Sequence, residues 1–360
     1  MDKIAQFWDR VERSLFPHLE ECLPEMTEKH RQLTLILEFV RVEEQVSPSW
    51  MQKLGRRRED RRSLARAFVA KALYNLPTTL ALIDRLHSDK TLRRMCGWEY
   101  RRQIPSESTF SRAFSDFATT GLVDKVHEAL VKTYLSEDVV WHISRDSTAI
   151  EAREKCTPKG DKPKRRRGRP RKDEPPRPPK RTFLQLVQSP SEAIATLPKA
   201  CDVGCKPDSS GQRKFWVGYK FHVDIGDCGI PLSAITTSAS LHDSQAAIPL
   251  AKLTAQRVHS LYDLMDAAYD SFEIKEASEL LGHVPIIDPA PIPGRGKKPP
   301  LEPDRARRYR MRTAVERFNS HLKDNRGGRT VRVRGHPKVH AHLMFGLLVI
   351  FAEAMLGLLP

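Results

Sequence analysis

Two aspartates close apolar runs in this chain: Asp146 after residues 139–145, and Asp266 after residues 261–265. Each run has the length and composition of a buried strand, so each carboxylate is expected at the rim of a sheet. Two carboxylates brought together at neighbouring strand ends repel one another unless a cation lies between them. Hard oxygen donors of this kind suit Mg²⁺, with Mn²⁺ as its substitute. Taken singly, either aspartate also reads as a turn former or a helix cap. Asp270, four residues after Asp266, is the rival for the second position.

A third carboxylate comes from residues 309–323. On a helix at about 100° per residue, Tyr309, Arg312, Glu316 and Lys323 share an arc of about 60°. Met311, Val315, Phe318 and Leu322 occupy the opposite side. One face is therefore expected to pack on a sheet, while the adjacent face presents a phenol, a guanidinium, a carboxylate and an ammonium together. The alternative is an ordinary amphipathic surface helix laced with ion pairs.

The elements that must hold these groups can be read from periodicity. Residues 213–225 alternate, with Phe215, Val217, Tyr219, Phe221, Val223 and Ile225 on one face and Trp216, Gly218, Lys220, His222 and Asp224 on the other. That is a strand, and a turn at 226–229 makes it a hairpin with 230–240. Lys220 and His222 face the same rim and are expected to contact DNA there; structural hydrogen bonding is the competing reading for both. Asp243 is expected to cap a helix running to about 258, and His242 beside it reads as part of that cap or as half of a catalytic pair. A strand at 261–266, a helix at 271–281 and a strand at 284–287 follow. Hairpin strands followed by alternating strands and helices make this part a mixed α/β sheet, spanning residues 137–360.

Residues 1–136 read as helical, with helices expected at 63–74, 78–86, 90–95 and 122–135. Ser106 follows Pro105 and can cap a helix over 106–114. The polar face Ser108, Ser111 and Arg112 would meet DNA if this were the recognition helix of a helix-turn-helix; a plain helical bundle is the alternative. Cys201 and Cys205, with Cys228 or His222, lack the second pair that a zinc site needs.

The 61 Lys and Arg exceed the 45 Asp and Glu by 16, which points to a polyanionic partner. Nine of those charges lie in residues 159–181, which hold 12 basic and 3 acidic residues. With seven prolines over 157–181, this stretch cannot bury a core. Residues 157–200 are therefore expected to be a disordered insertion between the first two strands. Within it, Arg167-Gly168-Arg169-Pro170 resembles an AT-hook: Arg-Gly-Arg is narrow enough for the minor groove of an A·T tract. The six cysteines are scattered, and no basic N-terminus leads into an apolar run, so a reducing cytoplasm is expected. The apolar run at 343–359 is broken by Glu353 and reads as a buried core helix rather than a membrane span.

Tyr309, Arg312, Glu316 and Lys323 in this spacing resemble the tyrosine–arginine–glutamate–lysine signature of the DDE transposases of bacterial insertion sequences. Residues Arg145-Asp146-Ser147-Thr148 and Asp266-Ala267-Ala268-Tyr269-Asp270-Ser271 are similar to the two aspartate motifs of that family. Trp216 to His222, with Leu241 to Ser244, resembles its second-strand region, and Pro105 to Arg112 its N-terminal helical domain. The resemblance implies an RNase H-like catalytic domain behind an all-α DNA-binding domain. It implies Asp146, Asp266 and Glu316 as catalytic residues holding two Mg²⁺ ions for DNA cleavage and strand transfer. It further implies Tyr309, Arg312 and Lys323 as contacts to double-stranded DNA, and at least a homodimer to hold two transposon ends. The competing readings are a nuclease or resolvase on the same fold, and a non-catalytic protein that binds AT-rich DNA.

Overall fold

The computed structural model describes residues 2–22, 25–46, 59–158, 178–207, 210–289 and 299–358. The AT-hook-like Arg167, Gly168 and Arg169 lie outside the described residues.

The N-terminal part is helical: α1 (Asp2–Arg10), α2 (Phe16–Cys22), α3 (Glu28–Val40), α4 (Arg61–Leu73), α5 (Thr79–Ser88), α6 (Lys90–Cys96), α7 (Glu107–Thr120) and α8 (Leu122–Leu135). Side chains mark where several begin. Asp60, Thr78 and Asp89 accept from Arg62 N, Ala81 N and Leu92 N at 2.9–3.0 Å, satisfying amides that have no carbonyl within their own helix. Ser106 occupies the N-cap position of α7 but does not accept from the helix. Its hydroxyl pairs with Ser108 Oγ at 3.0 Å instead, and α7 runs well beyond the expected residue 114.

The second part is built on β1 (Val139–Ala152), β2 (Asp202–Pro207), β3 (Arg213–Ile225), β4 (Pro231–Ser238), β5 (His259–Met265), β6 (Val284–Ile287) and the short β7 (Thr330–Val331). β1 is central. It runs antiparallel to β3 on one side and parallel to β5 on the other, with β6 parallel beyond β5. β4 completes the hairpin with β3, so the spatial order β4–β3–β1–β5–β6 is the mixed sheet of an RNase H-like domain. β2 pairs with the first half of β3, an addition that sequence periodicity did not predict. Gly218 stands where β3 passes from β2 to β1. Its φ is +151°, and a Cβ there would lie 2.1 Å from Ile150 O, so only glycine fits.

The helices of this part are α9 (Arg181–Val187), α10 (Pro190–Ala195), α11 (Ser244–Ala255), α12 (Phe272–Leu280), α13 (Pro303–Tyr309), α14 (Thr313–Asn325) and α15 (His336–Met355). The expectation of disorder across 157–200 is corrected here: 181–195 form α9 and α10. α9 is tied to its neighbours by Gln185 Nε2 donating to Gln245 O at 2.8 Å and by Lys252 Nζ donating to the carbonyls of Gln185, Leu186 and Gln188 at its C-terminal end. The proline-rich composition ends before these residues, and local capping at Ser189 takes over.

α15 joins the two parts. It is long and apolar enough to cross a membrane, yet most of it lies inside the protein. One continuous core contains Leu33, Phe68 and Phe110 from the helices, Ile143 and Phe221 from the sheet, and Leu347 and Phe351 from α15. Glu353, the charge that interrupts the apolar run, is buried and fully used. It accepts from Gln32 Nε2 at 2.8 Å, and pairs with Arg326 and His321. A buried carboxylate with this many donors holds α3, α14 and α15 in one arrangement.

Candidate active site

Asp146 lies within β1 rather than at its end. The apolar run stops near it, but the antiparallel ladder with β3 carries the strand on to Ala152, with Asp146 opposite Val223. What ends here is the other neighbour: the last pair of β1 with β5 is Ser144 with Leu264. Two residues further along each strand stand Asp146 and Asp266. Residues two apart point to the same face, and adjacent strands are about 4.8 Å apart, so the two carboxylates emerge side by side where β5 leaves the sheet. Asp266 is fixed there by capping the turn that follows, its Oδ1 accepting from Ala268 N at 2.9 Å. Asp270 stands at the end of that turn and pairs with Lys275 at 2.6 Å.

The segment carrying Glu316 is not one regular helix. A 3₁₀ turn at Arg310–Arg312 separates α13 from α14. Tighter winding rotates the residues in that turn, and Met311, expected against the sheet, is exposed. Val315, Phe318 and Leu322 are buried as expected. Arg312 is thereby aimed at the aspartates. Its Nη2 lies 3.3 Å from Asp146 Oδ1 and 3.8 Å from Asp266 Oδ2, while its Nη1 donates to Glu316 Oε1 at 2.8 Å. The three carboxylates are linked through this guanidinium; among the described residues no three acidic, histidine or cysteine side chains converge directly on one metal position. Asn319, one turn beyond Glu316, donates Nδ2 to Asp146 Oδ2 at 3.1 Å.

Burial dominates the electrostatics. It pushes Asp146 up to about 6 against the pull of Arg312, and the charges of Asp266 and Asp243 add to the rise. Asp266 is raised by burial as well, again opposed in part by Ala268 N–H and Arg312. Burial pushes the Tyr309 phenol up to about 12. Below the site, the Tyr269 hydroxyl is buried with no hydrogen-bond partner among the described residues, and burial together with Asp243, Asp146 and Asp266 raises it far above its ordinary value. Carboxylates this short of positive charge fit a hard divalent cation. The Asn319 amide oxygen, buried and without a partner among the described residues, is a further hard donor at the same place.

The other candidate residues fall into separate groups. His222 is wholly buried: its Nε2 meets Thr237 Oγ1 at 2.8 Å, and burial pushes its pKa down to about 4. It is a neutral prop inside the sheet, and its expected contact with DNA is corrected, because solvent does not reach it. Lys220 donates to Asp243 Oδ1 and Leu241 O, both at 2.8 Å. Asp243 stands at the N-cap position of α11 without accepting from it, because its carboxylate is taken by Lys220. Ser108 and Arg112 are exposed on α7. Lys323 lies on α14, half-buried and without a carboxylate partner among the described residues. Cys201 is buried and Cys205 exposed, and neither joins a metal cluster among the described residues.

Sequence reasoning missed Asn319 and the ion pairs on the reverse of β1. Asn319 shares the face of Glu316 at i+3, which was the available signal. Arg145 points away from the site: Nε and Nη2 donate to Asp224 Oδ1 and Oδ2 at 2.8 Å, and Nη2 lies 3.7 Å from Asp263.

An RNase H-like sheet with paired aspartates at the departure of its fourth main strand, and a following helix bringing a glutamate, defines a DDE-type domain. Residues 141–352 match the family described as Transposase DDE domain, and residues 17–116 match Transposase domain (DUF772). The chain belongs to the DDE transposases. No curated protein and no solved structure matches it.

Proposed function

We propose that this chain binds the terminal inverted repeats of an insertion sequence and catalyses metal-dependent cleavage and strand transfer of DNA, with Asp146, Asp266 and Glu316 as the catalytic carboxylates. The reading is supported above all by the Arg312 guanidinium, which one carboxylate from β1, one from the end of β5 and one from α14 approach together.

Asp146, Asp266 and Glu316 would hold two Mg²⁺ ions, or Mn²⁺ in their place. When bound, these ions neutralise charge at the scissile phosphate and activate the attacking water or 3′-hydroxyl. The chain supplies the rest. Asn319 orients Asp146 by donating to one of its oxygens. Arg312 offers a two-pronged fork to phosphate oxygens, and Lys323 a point charge further along the same helix. Tyr309 stays protonated at neutral pH and presents a ring on which a terminal base can stack. No covalent nucleophile is required of the protein. Lys220 acts through Asp243, holding the loop before α11 against the site. In the sequence, Arg167-Gly168-Arg169 adds a minor-groove contact, and Ser108 and Arg112 a helical one. Two ends joined in one reaction call for two copies of the chain.

The test is cleavage of a duplex carrying the element's end, with Mg²⁺, by the native chain and by Glu316→Gln. The expected result is a nick exposing a 3′-hydroxyl for the native chain, and binding without cleavage for the variant. Equal cleavage by both would remove Glu316 from the site. Cutting by the native chain with no joining to a target duplex would favour the nuclease reading.

A further inference from the structure

Lys71 is a buried cation without a counter-charge. It lies in the last turn of α4, is 8% exposed, and has neither a hydrogen bond nor an ion pair among the described residues. Burial alone lowers its pKa, to about 8, so it still carries a proton at neutral pH. The C-terminal dipole of α4 eases that charge but supplies no partner. Isolated buried charges are costly, and a chain retains one where something else completes it.

What lies around Lys71 indicates the missing group. It lines a narrow crevice of about 30 Å³, which shares Asn75, Leu76, Gly327 and His342 with an open groove of about 560 Å³. The crevice admits an oxygen atom or a water, not a whole phosphate. His342 is no competitor for a negative ligand: burial, then the charge of Lys71, push its pKa down to about 4, and its Nε2 meets Gly327 O at 3.0 Å. The groove itself is lined by Arg153, Lys323, Arg329 and Arg332, against the single acid Asp324, which is engaged by Arg329. Arg153, Lys323 and Arg332 have no carboxylate partner within ion-pair distance among the described residues. Lys323 is pushed down by burial and then by Lys206 and Arg329, a sign of crowded positive charge; Glu151 opposes this only in part. The seam is built rather than incidental. Asn75, with φ +51°, donates to Asp324 O at 2.9 Å, and Gly327, with φ +75°, has a backbone that disfavours a side chain and would place a Cβ 3.0 Å from the His342 ring.

We propose that this groove, between the end of α4 and the loop joining α14 to β7, holds backbone phosphates of the DNA duplex, with Lys71 reached by an oxygen of one of them. The assignment rests on the reading of this chain as a DNA transposase and adds a second contact region drawn from both parts of the fold. Lys323 lies seven residues beyond Glu316 on α14, about 10 Å along the axis. At about 3.4 Å per base pair, the groove meets the duplex from about three base pairs beyond the reacting phosphate. The helical part therefore shares in gripping DNA near the cut through Lys71, independently of the polar face of α7.

The experiment measures binding of the full-length chain to an end duplex by fluorescence anisotropy between 50 and 200 mM KCl. It compares the native chain, Lys71→Met and the double variant Arg153→Gln/Arg332→Gln. One lost phosphate contact lowers the salt slope by about 0.9, which shrinks the loss of affinity over this range about three- to fourfold. Lys71→Met is expected to lower the slope by about one contact while melting no lower than the native chain, because it removes an unpaired buried charge. The double variant, at exposed positions, is expected to lower the slope by about two contacts and keeps the test decisive should Lys71→Met fold poorly. Neutral methylphosphonates placed three to five base pairs from the cut should weaken the native chain more than they weaken Lys71→Met, which has already lost one of the groove's contacts. Native slopes in both variants, with the native chain binding the duplex, would overturn the groove assignment and leave the transposase reading intact. No binding of any duplex by the native chain would remove both. Thermal protection of the native chain by inorganic phosphate, lost in Lys71→Met with unchanged DNA slopes, would make this a free-anion pocket and also overturn the proposal.

Discussion

Adjacent residues of β1 anchor two arginine–carboxylate clusters on opposite faces of the same sheet. On one face Arg145 meets Asp224 and Asp263, with side-chain exposures of 1%, 0% and 0%. On the other, Arg312 meets Asp146, Asp266 and Glu316, with exposures of 13%, 19%, 39% and 60%. The chemistry is the same and the completion differs. Asp224 also accepts from Thr254 Oγ1 at 2.6 Å, and Asp263 from Ser278 Oγ at 2.7 Å, so the closed cluster is supplied from within. The open cluster spreads its donors over three carboxylates and has a solvent-facing side; burial raises both its aspartates, as it raises Asp224 on the closed face, where Asp263 is lowered by Arg145 and His283 despite its burial. A finished ion network fixes a fold; an unfinished one leaves room for a ligand.

The contrast can be broken most forcefully on the closed side. Arg145→Met leaves two buried carboxylates without their cation and should cost about 3–5 kcal/mol, read as a large fall in the midpoint of denaturant unfolding. A loss below about 1 kcal/mol would mean that the closed cluster is not structural. The open side should respond in the opposite direction. Burial raises the folded-state pKa of Asp146 to about 6, above about 3.9 in an unfolded chain. The folded protein then binds the extra proton between those values, so in chelator its stability should rise as pH falls from about 6 to 4. Asp146→Asn should accordingly be more stable than the native chain at pH 7 by roughly 3 kcal/mol, with the difference vanishing near pH 4. Melting curves in EDTA across that range check this, and a less stable variant at pH 7 would refute it. Adding Mg²⁺ should stabilise the native chain and leave Asp146→Asn largely unmoved.

The smallest effect is expected at Asn319, which touches one carboxylate only. Asn319→Ala should reduce cleavage about 10–100-fold and raise the Mg²⁺ concentration needed for half-maximal rate, while binding of the end duplex stays unchanged. A rate loss with an unaltered Mg²⁺ requirement would assign Asn319 to packing of α14 instead.

Much of this was legible before any coordinates. The alternation over 213–225, the helices between 63 and 95 and the apolar rows of α14 are local patterns, and local patterns record local structure; the caps expected at Ser106 and Asp243 are not made, because each side chain bonds elsewhere. Asp146, Asp266 and Glu316 could be singled out as the ends of two apolar runs and one polar arc of a helix, although Asp146 stands within β1 and not at its end. The 3₁₀ turn at Arg310–Arg312 was not legible, since nothing in its residue types separates it from a continuous helix. Nor was the burial of His222, which depends on what packs over its strand. The helices at 181–195 were lost under the composition of the preceding basic stretch.

The sequence by itself determined the main strands and helices, their order and the residue types available for chemistry, because these follow from periodicities of two and 3.6 residues; β2, α9 and α10 lay outside what those periodicities marked. Which groups meet was decided only in the tertiary structure. The register of β1 on β5 makes Asp146 and Asp266 neighbours across 119 intervening residues. The path of α14 brings Arg312 between them, and the packing of α4 against the α14–β7 loop leaves Lys71 without a partner. Contacts of this kind join residues far apart in the chain, and no local pattern encodes them; they are set by how the apolar faces of separate elements bury one another.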